Sequence, residues 1–120
     1  MSKKKVFFIA EDGSYARKAM ENLYKNAVEE NAKLNRAYEL YVVPQNKREN
    51  VVKQADIILL EPTIAYLKPL VNNETSKKTK VDIIAGPVYV LADGRGLMDQ
   101  VNKIRLTQFH EEENFFRKIC

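Results

Sequence analysis

The chain predicts an α/β protein: a four-stranded parallel open sheet in the order 2-1-3-4, with helices on both faces. Three observations carry this. Two short apolar runs, Val6-Phe7-Phe8-Ile9 and Ile57-Ile58-Leu59-Leu60, lack polar alternation, as strands covered on both faces do. Strand-like runs alternate with amphipathic stretches, which calls for right-handed crossovers and parallel pairing. The two most apolar strands, first and third, belong in the centre, so their carboxyl ends meet where the strand order reverses and such folds bind ligands.

In chain order, residues 5–10 form the first strand. Ser14 is a good N-cap for a helix running to about Ala32, with Ala16, Met20, Leu23, Tyr24, Ala27 and Val28 as its buried stripe. Ala37 to Val43 is the second strand, ended by Pro44. Gln45 to Ala55 reads as a short helix, with Val51, Val52 and Ala55 inward and Lys47, Arg48 and Lys53 outward. Asp56 to Pro62 is the third strand, and Thr63 caps the next helix, whose apolar face is Ile64, Leu67 and Leu70 or Val71. Pro69 shortens or kinks that helix. A polar loop spans Asn72 to Thr79, and Val81 to Ala85 is the fourth strand. Gly86-Pro87 reads as a turn and Val88 to Ala92 as an irregular apolar crossing. Asp93 or Gly94 opens the last main helix, which buries Leu97, Met98, Val101 and Ile104.

With 120 residues, the chain has room for one core without metals or disulfides. An α/β domain over residues 1–106 is expected, followed by a helical tail over 107–120. Phe109, Phe115, Phe116 and Ile119 give that tail an apolar face, to pack back on the domain or to meet a partner. No apolar run approaches the roughly 18 residues needed to cross a bilayer, which excludes membrane insertion. The five apolar residues after Lys5 are too short for a signal sequence. The lone Cys120 agrees with a reducing compartment, and a cytoplasmic location follows as an expectation. The net charge of +4 comes from 20 basic residues dispersed among 16 acidic ones. Its clusters lack interleaved aromatics, so a nucleic-acid partner is not expected.

Chemistry is expected in the strand-to-helix loop Ala10-Glu11-Asp12-Gly13-Ser14, continuing through Tyr15, Ala16 and Arg17. This is where α/β folds place phosphates against a helix N-terminus. A phosphate cradle wants small or basic residues, whereas this loop carries two carboxylates.

Four features give the chain a family likeness. They are Lys5-Val6-Phe7-Phe8-Ile9 followed by a loop with Gly13; Ala55 to Pro62 with its terminal Glu61-Pro62; Tyr66 in the next helix; and Asp93-Gly94 before the last one. In their order and spacing, over residues 4–106, the chain resembles the cytoplasmic IIB component of the lactose/cellobiose type of the bacterial phosphoenolpyruvate-dependent sugar phosphotransferase system. The resemblance implies a phosphocarrier in sugar uptake, with a IIA protein as phosphoryl donor, the sugar held by a IIC membrane component as acceptor, and no cofactor. Family members carry the phosphoryl group on a cysteine directly after the first strand. The matching position here is Ala10, which has no nucleophile, and Glu11 and Asp12 follow where the family has small neutral residues. A deliberate inactivating substitution would explain Ala10 alone, not the two carboxylates. The resemblance therefore implies a binding or regulatory module with a degenerate site, whose partner is a IIA-like or IIC-like protein or a regulator. An active or inactivated phosphocarrier is the alternative.

A further reading takes Glu11, Asp12 and Glu61 as a crevice of carboxylates able to hold a hard cation, similar to a response-regulator receiver. Against it stand four strands rather than five, and Gly86-Pro87 where a receiver has lysine. The bland reading is solvated carboxylates partly neutralised by Arg17 or Lys18. His110, the single histidine, reads as a surface residue of the tail, and Ser14 as a cap rather than a nucleophile.

Overall fold

A computed structural model describes residues 3–12, 14–34 and 36–119, with residues 14–17 and 115–119 through their backbone alone. Four strands, β1 (Lys4–Ala10), β2 (Tyr38–Pro44), β3 (Ile57–Leu60) and β4 (Lys80–Ile83), form one parallel sheet in the order β2-β1-β3-β4. The helices are α1 (Ser14–Lys33), α2 (Lys68–Glu74), α3 (Gly86–Val90) and α4 (Gly94–Ile119), and 3-10 segments cover Gln45–Asn50, Val52–Gln54 and Pro62–Leu67.

Alternate side chains of β1 feed two cores. Val6, Phe8 and Ala10 join Ile57 and Leu59 beneath Met20, Leu23 and Ala27 of α1 and Leu97, Met98 and Val101 of α4. On the other face, Phe7 and Ile9 join Ile58 and Leu60 beneath Val52, Ala55, Ile64 and Val71. All four β3 side chains are fully buried, each stabilising the fold by about 1.5–3 kcal/mol. The run is unbroken because both faces are covered.

Several expected elements take a different form. The segment read as a helix from Gln45 to Ala55 is two 3-10 segments parted at Val51, whose backbone (φ −125°, ψ −19°) is not helical. Arg48 does not point outward: its guanidinium reaches Glu74 in a two-pronged pair, Nε to Oε1 at 2.9 Å and Nη2 to Oε2 at 3.2 Å. Thr63 caps nothing, because the turn after β3 already begins at Pro62, with Glu61 at the cap position. Pro69 stands in the first turn of α2, where its missing N–H is tolerated. Val71 is the buried member of its pair, and Leu70 is exposed. The expected polar loop from Asn72 begins as the end of α2, and the Thr79 hydroxyl is buried, donating to the Ala55 carbonyl at 2.8 Å.

Gly86-Pro87 is the first turn of α3 rather than a loop, and α3 absorbs most of the expected irregular crossing. The fourth strand stops at Ile83, although the Ile84 N–H still donates to the Leu60 carbonyl at 2.9 Å. The second strand starts at Tyr38 and includes Pro44, which an edge strand accommodates. Val28 of the expected α1 stripe is exposed. The hydroxyl of Ser14 and the thiol of Cys120 lie outside the described side chains.

The region read as a tail continues α4 without a break. Gln108 holds it to the amino end of the sheet, its Nε2 donating to the carbonyls of Asp56 (2.7 Å) and Lys78 (3.2 Å). Leu106 and Phe109 face solvent. Among the described residues, no helix is long and apolar enough to cross a membrane.

The junction of α3 and α4 separates two roles often combined in one glycine. Ala92 has a positive φ of 49°, while Gly94 lies where α4 meets α1. A Cβ at Gly94 would stand 2.3 Å from the Asn26 carbonyl carbon and 2.7 Å from the Ala27 nitrogen, all backbone. The glycine therefore serves close approach and leaves Ala92 strained. Gly94→Ala is expected to destabilise the fold by at least about 1–3 kcal/mol. Ala92→Gly is expected to stabilise it by about 0.5–1 kcal/mol, because relief of the left-handed backbone outweighs the added chain entropy. Urea unfolding of the two variants checks these opposite signs.

Candidate functional site

The site is built by the parallel pairing of β1 with β3, in register from Val6↔Ile57 to Ile9↔Leu60. That register brings Ala10 at the end of β1, Glu11 just past it and Glu61 just past β3 to one place. The Glu61 N–H continues the ladder by donating to the Ile9 carbonyl at 2.9 Å.

Ala10 ends β1 with 5% exposure, so its methyl group is part of the core. Glu61 is fully buried, and both of its carboxylate oxygens have donors. The Glu11 backbone N–H donates to Oε1 at 2.7 Å, and the Tyr89 hydroxyl of α3 donates to Oε2. Burial pushes the Glu61 carboxyl above its ordinary range. The hydrogen bonds from Tyr89 and Glu11 draw it back down, and repulsion from the Glu11 carboxylate adds to the rise. The Tyr89 phenol is pushed well above its usual value by burial, by its bond to Glu61 and by the two negative charges.

Asp12 belongs to a different network. Its Oδ2 accepts from Gln45 Nε2 at 3.0 Å, and the Gln45 Oε1 in turn accepts from Arg48 Nη1 at 2.9 Å. Since Arg48 is paired with Glu74, this chain ties the loop to α2. A groove of about 240 Å³ opens beside the site. Its apolar walls are Ala10, Met20, Val42 and Pro44, with Glu11 and Glu21 also lining it. A larger groove of about 490 Å³, lined by Phe7, Tyr41, Val43 and Val51 among others, runs at the β2 edge. There Phe7 and Tyr41 stack with ring centroids 4.8 Å apart.

Compared with known proteins, the chain matches no family model and no curated protein sequence.

The three carboxylates proposed as a cation crevice are therefore divided. Glu61 is buried and occupied by its two donors, while Asp12 turns toward Gln45. Among the described residues, no group of three or more His, Cys, Asp or Glu side chains could hold a metal ion. No ion pair joins Lys18 to Glu11 or Asp12 among the described side chains. Gly13 and the side chains of Ser14, Tyr15, Ala16 and Arg17 lie outside the described residues. His110 is exposed on α4. The adjacent Glu111 pairs with Lys80 at the start of β4, at 2.7 Å, which places this stretch at the amino end of the sheet, opposite Glu61. Tyr66 is 75% exposed. Sequence reasoning missed Tyr89: nothing in an apolar run beginning Val88-Tyr89 marks a phenol that meets a buried carboxylate.

Magnesium at millimolar concentration is expected to leave the backbone amide resonances of Glu11, Asp12 and Glu61 unshifted. Concerted shifts would restore the cation reading. A second expectation concerns pH. Because folding raises the Glu61 carboxyl above its unfolded value, the native state binds that proton more tightly. Its stabilising contribution is complete below the ordinary carboxylate range and is lost as pH rises through the folded value. The urea midpoint of the wild type, measured relative to Glu61→Gln, is therefore expected to fall from acidic toward neutral pH.

Proposed function

We propose that this chain is a cytoplasmic IIB-like module of the sugar phosphotransferase type that binds a partner without carrying a phosphoryl group. The observation that carries the reading is the occupancy of the loop after β1. Where the family places its cysteine, Ala10 offers a buried methyl, and the next backbone N–H already serves the internal carboxylate of Glu61. A phosphate cradle works by offering free N–H donors to an anion. Here Glu61 takes the Glu11 donor, and the negative charge of Glu11 opposes an incoming phosphate by an amount on the order of 1 to several kcal/mol.

The four-stranded parallel order and the position of the loop support keeping the IIB-like reading. The partner in this proposal is a IIA-like or IIC-like protein or a regulator. Exposed Tyr66, Val90 and Leu91 follow β3 and β4 at the carboxyl end of the sheet, on the side of the site. They supply apolar surface for such a contact.

The test is intact-mass measurement after incubation with phosphoenolpyruvate, the general phosphotransfer proteins and a IIA protein, with a cysteine-bearing IIB protein in the same mixture as control. The wild type and Ala10→Cys are both expected to keep their mass while the control gains a phosphoryl group. A stoichiometric adduct on the wild type overturns the module reading. An adduct on Ala10→Cys alone would instead mark a carrier that has lost only its nucleophile.

A further inference from the structure

Among the described residues, Glu61 is the one buried carboxylate; the other buried polar or charged residues are Asn31, Thr79 and Gln108. A buried carboxylate persists only if donors replace the water it has lost. Those of Glu61 come from two separate pieces of chain, the loop after β1 and helix α3. The titratable groups among the described residues that act on it are Tyr89 of α3 and Glu11 of the loop.

Besides this bond, helix α3 is held at its cap, where the Ala85 N–H donates to Gln100 Oε1 at 3.1 Å. It is five residues long with no buried residue. Val88 and Tyr89 pack at the margin of one core, and the Ala92 carbonyl just beyond accepts from Asn26 Nδ2 at 2.8 Å. Its tip, Val90 and Leu91, is 80% and 74% exposed. The Glu61 bond is thus a main anchor of a short, exposed, apolar-tipped element.

We propose that Glu61 and Tyr89 form a proton-sensitive tie that couples the exposed tip of α3 to the loop after β1. With Glu61 ionised, Oε1 accepts from the Glu11 N–H and Oε2 from the Tyr89 hydroxyl, both charge-assisted. When a proton from solvent adds to Oε2, the new acid O–H donates to the phenol oxygen, and the phenol hydrogen must turn to another acceptor. The bond reverses direction and loses its charge assistance, roughly half its strength, so α3 loosens. Conversely, a contact that draws Tyr89 away leaves an under-satisfied buried charge, which takes up a proton and weakens the hold on the Glu11 N–H. The tie stands whether or not the chain is a phosphotransferase-type module.

The experiment is a pH titration of the full chain by NMR, following the Glu61 side-chain carboxyl carbon and the amides of Glu11, Leu91 and Ala92. All are expected to share one midpoint, above that of the exposed carboxylates. In Glu61→Gln the shared step disappears, while amides of β1 and β3 show the fold intact. In Tyr89→Phe the Glu61 midpoint rises further, since the ionised form has lost a donor, and the Leu91 and Ala92 amides exchange with solvent several-fold faster at neutral pH. Separate midpoints for the Glu11 and α3 amides would overturn the coupling. So would unchanged α3 exchange in Tyr89→Phe, and Glu61→Gln alone decides the matter should that variant not fold.

Discussion

The pairing of β1 with β3 is the constraint from which the rest follows. Parallel strands cannot be joined by a tight turn, so α1, β2 and the first two 3-10 segments lie in the crossover between them. Because successive side chains of a strand face opposite ways, the register Val6↔Ile57 through Ile9↔Leu60 loads both cores at once. A slip of one residue would exchange the two sets of side chains. The same register brings Glu61 beside the loop, with its own N–H on the Ile9 carbonyl. Core formation and site formation are one event.

What that event assembles is an internally satisfied position rather than an open one. At the carboxyl end of the sheet, a carboxylate of the protein stands on the first loop N–H. The negative partner expected of such a location is supplied by Glu61, just past β3, and the penalty of burying it is offset by the Glu11 N–H and by Tyr89 from α3. Asp12 is drawn off toward Gln45, Arg48 and Glu74. The acidic loop thus resolves into one buried anion with two donors, one loop carboxylate in a polar chain, and Glu11, whose main chain is engaged while its side chain lines the groove.

The strands were the most legible part of the sequence. Ile57 to Leu60 has four apolar residues in a row because it is central, and β2 closes with Pro44 because it is an edge. Segments whose conformation depends on distant partners were not legible. Gln45 to Gln54 carries helical spacing, yet it winds as 3-10 turns broken at Val51, and Arg48 turns inward to meet Glu74, 26 residues away in the sequence. Asn31, near the end of α1, has no local pattern that marks it. It is buried, and its side chain both donates to and accepts from the Tyr38 backbone, while the Tyr38 hydroxyl reaches Asn102. Such contacts join residues with no local pattern in common.

By itself the sequence determined the alternation of strands and helices, the central place of the two apolar strands, the strand order, and the absence of a nucleophile at Ala10. Those properties reside in local composition and periodicity, which act within a few residues. Only the tertiary structure decided that Glu61 is buried, that it takes the Glu11 N–H, that Tyr89 holds its other oxygen, and that Gly94 is needed for close approach while Ala92 bears the positive φ. The physical reason is the same in each case. A carboxylate's charge cost, a donor's choice of acceptor and the room for a methyl group depend on which atoms arrive from elsewhere in the chain.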